Sequence, residues 1–164
     1  MTISQHIGAT AEYKFYDLLR RPRRVKGSGA FTEKGDFISD ELGVYYETKA
    51  TEKDSYAISY KELDIAFKNS ISKDLLPVFV IAINTWKGNF NESTIIFALI
   101  LQFNREPDII IDKKSFRINE NNINNFLGKT FAFQNQQDRV WQMVKPDSTM
   151  FLLIEEINNL GGNP

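Results

Sequence analysis

The chain has 164 residues and a formal net charge of −1, which suits one compact domain and gives no overall attraction to nucleic acid. It contains no cysteine and a single histidine, His6, which excludes disulfides and thiolate metal sites and argues against a zinc site or a Ser-His triad. No apolar run approaches the roughly 20 residues of a membrane helix, and no signal-peptide pattern is present. Together with the absence of cysteine, this favours an intracellular, cytoplasmic protein without a membrane partner.

Residues 4–20 are predicted to form an amphipathic helix, with Ser4 as a candidate N-cap. Glu12 lies at the margin of its apolar stripe. It is either a surface residue or a carboxylate aimed at a site beside the core, and position alone favours the surface. The stripe itself recurs at helical spacing through Ile7, Gly8, Ala11, Phe15, Leu18 and Leu19.

A basic segment follows this helix, with five cations among residues 20–26. Pro22 is expected to end the helix. The cations either solvate the helix end or contact phosphates. The segment leads into a small-residue turn at residues 27–30, where a phosphate backbone could come close. The candidate DNA contacts here are Arg23, Arg24, Lys26 and Ser28.

Two strand-like segments, residues 36–38 and 44–50, are separated by a polar turn and predict a β-hairpin. Glu47 and Lys49 would then lie on one face of the sheet, and Asp36 would come near Glu47. Two carboxylates side by side are unfavourable unless something compensates. A hard divalent cation such as Mg²⁺ is the simplest compensation, because it prefers carboxylate oxygens. Lys49 would sit beside it.

A strand–helix–strand crossover is predicted from residue 44 to residue 83. Ser59 precedes Glu62 by three residues, which is a capping-box pattern for a helix running to about Lys73. The continuous apolar run 77–83 is typical of a strand buried on both faces. Lys61 in the first turn is a weaker candidate for DNA contact. The predicted apolar face of the helix is Leu63, Ala66, Phe67 and Ile71.

The C-terminal half carries weaker patterns, which predict strands and helices but no recognisable motif. No repeat or linker divides the chain, so residues 1–164 are predicted to be one domain with a core at about 5–83 and a C-terminal elaboration at 84–164. The predicted strands are 94–103, 108–111, 131–133 and 140–144, and the predicted helices are 119–127 and 149–159.

The order Glu12, Ser28-Gly29, Asp36 and Glu47-Thr48-Lys49 resembles the PD-(D/E)XK nuclease superfamily, and within it the Holliday junction resolvases of archaea and phages. The matching stretch covers roughly residues 5–83. The resemblance implies an α/β, restriction-endonuclease-like fold with a mixed central β-sheet flanked by helices. It also implies a homodimer that cuts four-way DNA junctions, inside a host cell for a phage-encoded member. By resemblance, the catalytic residues are Glu12, Asp36, Glu47 and Lys49.

The resulting hypothesis is metal-assisted phosphodiester hydrolysis with Mg²⁺, for which Mn²⁺ can substitute. The expected metal ligands are Asp36, Glu47, the Thr48 carbonyl and Glu12. Phosphate contacts position DNA without reading its sequence, so recognition of DNA shape is expected. One alternative is a flap, single-strand or sequence-specific endonuclease of the same superfamily. Another is a non-catalytic DNA-binding module.

A second acid-x-lysine pattern, Asp112-Lys113-Lys114, follows Pro107-Asp108. It puts both acids on one short segment, without an intervening turn or a crossover helix. Structural context decides between such motifs. Asp112 and Lys114 are therefore predicted to be exposed turn residues.

Overall fold

The computed structural model describes residues 3–25 and 34–161, and for a few residues at the ends of these ranges it describes the backbone alone. These residues form an α/β fold, an eight-stranded mixed sheet flanked by helices, as predicted. The three α-helices are α1 (Ile3–Leu18), α2 (Tyr60–Ile71) and α3 (Ser148–Gly161).

The main sheet contains both parallel and antiparallel neighbours. Its spatial order is β1-β2-β3-β5-β6-β10-β9-β7, in which β3–β5 and β7–β9 are parallel and the other pairs are antiparallel. The strands of this sheet are β1 (Arg23–Arg24), β2 (Lys34–Ser39), β3 (Val44–Ala50), β5 (Leu76–Ile83), β6 (Ile95–Gln102), β7 (Ile109–Ile111), β9 (Thr130–Phe133) and β10 (Val140–Val144).

A second, two-stranded sheet pairs β4 (Ser55–Ser59) with β8 (Ser115–Asn119) in antiparallel fashion. Sequence patterns did not reveal either strand. Phe116 of β8 packs against Phe131 and Phe133 of β9, with ring centroids 5.0 and 5.9 Å apart. The small sheet therefore packs on a face of the large one.

The first two helices lie on opposite faces of the main sheet. Tyr16 of α1 lies against Phe37, with ring centroids 6.4 Å apart, and we call this side the α1 face. On the other side, Asn69 of α2 donates a hydrogen bond to Glu47, and we call this side the α2 face. Because Phe37 lies opposite Tyr46 in the ladder, alternation assigns Tyr46 to the α1 face and its neighbour Glu47 to the α2 face.

The predicted crossover is confirmed. β3 runs parallel to β5 with α2 between them in sequence, and all eight residues of β5 are buried. The Ser59 hydroxyl accepts a hydrogen bond from the Glu62 N–H at 3.2 Å and so caps α2. Leu63 and Ala66 are buried as expected, but Ile71 is 46% exposed, so its assignment to the apolar face was wrong.

The helix predicted for residues 119–127 is also wrong, since this segment forms only a 3-10 turn at Ile123–Asn125. The side chains of Asn119 and Asn122 bond backbone groups nearby: Asn119 Oδ1 accepts from the Asn121 N–H at 2.8 Å, and Asn122 Nδ2 donates to the Arg117 carbonyl at 2.8 Å. Such local bonds compete with helical ones. The strands predicted in this half, and the C-terminal helix, are confirmed.

Candidate active site

The hairpin of β2 and β3 brings the first predicted motif together. Asp36 lies opposite Glu47 in the antiparallel register, and Lys34 lies opposite Lys49. Directly opposed residues share a face, and so do residues two apart on one strand. Asp36, Glu47 and Lys49 therefore project from the α2 face of two adjacent strands. The predicted hairpin and its pairing are confirmed.

Both carboxylates on this face are held by neighbouring donors. The Tyr45 hydroxyl donates to Asp36 Oδ2 at 2.9 Å, and Asn69 Nδ2 donates to Glu47 Oε1 at 3.2 Å. Glu47 is only 2% exposed. Burial, followed by the charge of Asp36 and its hydrogen bond, raises the pKa of the Tyr45 phenol. The phenol therefore stays protonated at neutral pH and remains a donor.

Glu12 reaches the region from the α1 face. It lies one turn before Tyr16, and Glu12 Oε2 forms an ion pair with Arg24 Nη2 at 2.9 Å. Arg24 lies opposite Phe37 in the ladder, which agrees with this placement. The surface location favoured by sequence position alone was wrong, because Glu12 is 6% exposed, and its carboxylate lies beside the core as in the other alternative.

The environment of Glu12 changes its acidity. Burial raises its pKa to about 7, the Arg24 guanidinium opposes that rise, and the charge of Asp36 adds to it. The influence of Asp36 means that the two carboxylates are close enough to interact electrostatically, although the ladder assigns them to different faces. Within the described part of the chain, Glu12 Oε1 is buried and has no hydrogen-bond partner.

The donor set on the α2 face suits a hard cation. Asp36 and Glu47 offer carboxylate oxygens, and hydrogen bonds from Tyr45 and Asn69 orient both groups, as is usual for metal-ligating carboxylates. Among the side chains that the structure describes, no three of His, Asp or Glu form a group able to hold a metal together. Mg²⁺ is commonly held by one or two carboxylates plus water and substrate phosphate, so two acids fit it.

The remaining predicted ligand, Thr48, lies in the ladder between Gly35 of β2 and Val80 of β5. Alternation directs its side chain to the α1 face, and it is 1% exposed. Only its backbone carbonyl is therefore a candidate ligand on the side of Asp36 and Glu47.

The predicted DNA contacts are only partly brought to the site. Arg23 donates to both carboxylate oxygens of Asp40, at 2.7 and 3.2 Å, while Arg24 pairs with Glu12. Both arginines are exposed, but each already forms an ion pair with a carboxylate. Lys61 is exposed in the first turn of α2. Lys26 and Ser28 lie outside the described residues.

The second acid-x-lysine pattern has a structural explanation. The Asp108 carboxylate accepts a hydrogen bond from the Thr130 N–H at 3.0 Å, and this bond lowers the pKa of Asp108. The Asp108 N–H in turn donates to Thr130 Oγ1 at 3.0 Å. Asp112 and Lys114 are exposed beyond β7, as predicted.

Two residues of the site were missed at the level of sequence. Tyr45 lies two residues before Glu47 on the same strand, so its side chain points to the same face of the sheet. Alternation alone could therefore have placed its hydroxyl beside the acids. Asn69 precedes the buried Ser70 at the edge of the apolar stripe of α2. An amide at such a margin is a weak signal, because surface helices carry many.

No protein-family model, curated protein or solved structure matches this chain. None of the helices in the described residues is long and apolar enough to cross a membrane. A function must therefore be argued from the residues and their geometry.

Proposed function

We propose that this protein is an Mg²⁺-dependent, structure-specific DNA endonuclease that cuts four-way junctions, a Holliday junction resolvase. The observation that carries the proposal is the register of the β2–β3 hairpin, in which Asp36 lies opposite Glu47 and Lys49 shares their face. Two neighbouring carboxylates, one of them the buried Glu47, are costly for stability alone. Together with the resemblance of the motif order to PD-(D/E)XK nucleases, this arrangement favours phosphodiester hydrolysis.

In this mechanism Asp36 and Glu47 hold the metal through their carboxylate oxygens. The Tyr45 hydroxyl and the Asn69 amide keep the two groups in orientation. A Mg²⁺ ion held by these residues would supply polarisation of the scissile phosphate and a more acidic bound water. Glu12 would contribute through water, since it approaches from the other face of the sheet.

Lys49 supplies a positive charge beside the two carboxylates. It is partly exposed and lies two residues beyond Glu47 on the same face. Its ammonium group donates hydrogen bonds to the phosphate or to the attacking water and so stabilises the charge that develops in the transition state.

We also propose that the active enzyme is a homodimer, as the resemblance implies, because a junction must be cut on two strands. Arg23, Arg24 and Lys61 would contact phosphates near each site. The chain mass of 18.9 kDa makes the test simple: analytical ultracentrifugation should give twice this mass.

The test of the activity compares cleavage of a synthetic four-way junction with cleavage of a linear duplex of the same sequence, with Mg²⁺ and with EDTA. We expect junction cleavage that EDTA stops. Asp36→Ala and Lys49→Ala should lower the cleavage rate at least 100-fold, because each removes a group that stabilises the transition state. Junction binding should persist in both variants.

The second acid-x-lysine pattern provides matched controls, since Asp112→Ala and Lys114→Ala change the same residue types at exposed positions. These variants should cut at the wild-type rate. Cleavage retained by Asp36→Ala or Lys49→Ala would contradict the proposed mechanism. Equal cutting of flaps or single strands would keep the chemistry and change the substrate, and junction binding without any EDTA-sensitive cutting would favour a non-catalytic DNA-binding module.

A further inference from the structure

A tight turn between β5 and β6 fixes the backbone of one tryptophan, Trp86. Trp86 and Asn89 exchange backbone hydrogen bonds of 2.9 and 2.8 Å. The two residues between them, Lys87 and Gly88, have φ angles of 52° and 86°, which is the pattern of a type I′ turn. A lysine in this left-handed conformation is uncommon and strained, a condition often retained at functional positions.

Hydrogen bonds attach this turn to the residues that follow Lys49. The Thr85 N–H and hydroxyl both donate to the Thr51 carbonyl, each at 3.1 Å. The Asn84 N–H donates to the Lys53 carbonyl at 2.9 Å. Following the backbone from Lys49 to Thr51 and across to Trp86 gives a separation of about 15 Å or less. This is roughly four base pairs of DNA at 3.4 Å each.

Trp86 is the exposed member of the two tryptophans in the chain. It is 63% exposed, whereas Trp141 is 1% exposed. Lys87 Nζ lies 5.5 Å from the centroid of the Trp86 ring. An accessible indole on a hydrogen-bonded turn, beside a cation, is a suitable surface for stacking a nucleobase whose phosphate the cation can contact.

We propose that Trp86 is a stacking platform for an unstacked nucleobase within about four nucleotides of the scissile phosphate, with Lys87 contacting the backbone of the same nucleotide. The proposal rests on the proposed function and specifies its substrate. Bases within a duplex have their faces covered by neighbours, so a stacking platform can act only where the stack is interrupted. The branch point of a four-way junction and single-stranded DNA both meet that condition.

The charge around the turn agrees with stacking, not electrostatics, as the main interaction. The charges on residues 49–54 and on the turn residues 84–92 cancel, because three lysines face three acidic residues in number. Stacking on an aromatic ring is tolerant of sequence, which fits an enzyme expected to recognise shape. These charged residues are Lys49, Lys53 and Lys87, and Glu52, Asp54 and Glu92.

The experiment measures DNA binding in EDTA, so that cleavage plays no part. A labelled four-way junction, a 12-residue oligo(dT) and a blunt duplex are titrated with protein, and anisotropy and tryptophan emission are followed together. For wild type we expect emission to be quenched by the junction and by oligo(dT), but not by the duplex. Trp86→Ala should bind the junction roughly tenfold more weakly.

Two further variants separate stacking from other effects. Trp86→Phe keeps an aromatic ring and should bind within about threefold of wild type, while quenching of tryptophan emission is lost because buried Trp141 is the remaining tryptophan. Phe103→Ala removes another exposed aromatic, 48% accessible, beyond the opposite end of β6. It should bind and quench like wild type.

The results distinguish failure of this inference from failure of the proposed function. If wild type binds the junction without quenching, or if Trp86→Ala binds it equally well, the stacking platform is wrong and the nuclease proposal stands. If folded wild type binds none of the three DNAs, the nuclease proposal fails and the platform fails with it. Emission of Trp141 and far-UV circular dichroism establish that each variant is folded.

Discussion

At the scale of single residues, Glu12 departs from the ordinary behaviour of a glutamate on a surface helix. It is buried, and its pKa is raised to about 7, mainly by that burial. Sequence position predicted a surface residue, because the margin of an amphipathic stripe faces solvent on an isolated helix. The two-residue strand β1, which covers this margin with Arg24, is too short to be recognised from sequence.

The raised pKa of Glu12 predicts a specific dependence of stability on pH. The folded value of about 7 lies above the ordinary value of 4.5, so between these values the native state binds more protons than the unfolded state. Stability from this group is then full below about pH 4.5 and is lost as pH rises to about 7. Urea unfolding in EDTA should show wild type losing on the order of 1–3 kcal/mol of unfolding free energy between pH 5 and pH 8.

The variant Glu12→Gln tests whether this loss belongs to Glu12. It carries no titratable group there, so its unfolding free energy should be nearly constant over the same range, apart from the contributions of other groups. Glu92→Gln changes an exposed glutamate and should retain the wild-type slope. The same slope in Glu12→Gln and wild type would contradict a shifted Glu12.

At the scale of elements, the hairpin was predictable because its determinants are local. A short apolar segment, a polar turn and a segment rich in β-branched and aromatic residues predict strands β2 and β3, and Gly43 at φ 67° closes the turn between them. The crossover was predictable for the same reason, since Ser59 and Glu62 mark the start of α2. By contrast, β4 pairs with β8 across about sixty residues of chain. No local pattern in Ser55–Ser59 predicts pairing with so distant a strand.

Gly43 offers a test of the hairpin as an element. A side chain at a positive φ costs about 1 kcal/mol, and a Cβ on Gly43 would lie 3.5 Å from Asn158 Nδ2, an ordinary contact. Gly43→Ala should therefore lower the unfolding free energy by about 1 kcal/mol through backbone strain alone. The measurement is urea unfolding at a fixed pH.

Gly128 provides the matched comparison for that substitution. Its φ is 81°, and nothing lies within 4 Å of a Cβ built there. Gly128→Ala should cost a similar amount, whereas Gly43→Asn should cost less than Gly43→Ala because asparagine tolerates this conformation. Only the Gly43 variants alter the hairpin that carries Asp36 and Glu47. An unchanged stability for both alanine variants would argue against the left-handed geometry.

At the scale of the whole molecule, the C-terminal half supplies four of the eight strands of the main sheet, β6, β7, β9 and β10. Sequence analysis located these strands but could not order them, because their pairing joins distant segments. An ion pair also joins the two halves. Arg139 bonds Asp64 of α2 and lies over the Phe67 ring at 3.9 Å. The site thus depends on residues that carry no motif.

This dependence predicts that the motif-bearing half cannot fold alone. A fragment of residues 1–83 would lose β6, leaving β5 with one neighbour and exposing a strand whose eight residues are all buried in the full chain. An apolar edge of this kind favours aggregation. We expect the fragment to lack cooperative urea unfolding and to cut no DNA.

Co-refolding with a second fragment of residues 84–164 is the control, because the break then falls in the loop between β5 and β6 and every strand pair can re-form. We expect the mixture to regain cooperative unfolding, monitored by the emission of Trp141, which lies in β10 and is 1% exposed. Cooperative unfolding of residues 1–83 alone would instead mean that the hairpin and crossover form an independent unit. The C-terminal strands would then be an addition to that unit, and the geometry of Asp36, Glu47 and Lys49 would survive their removal.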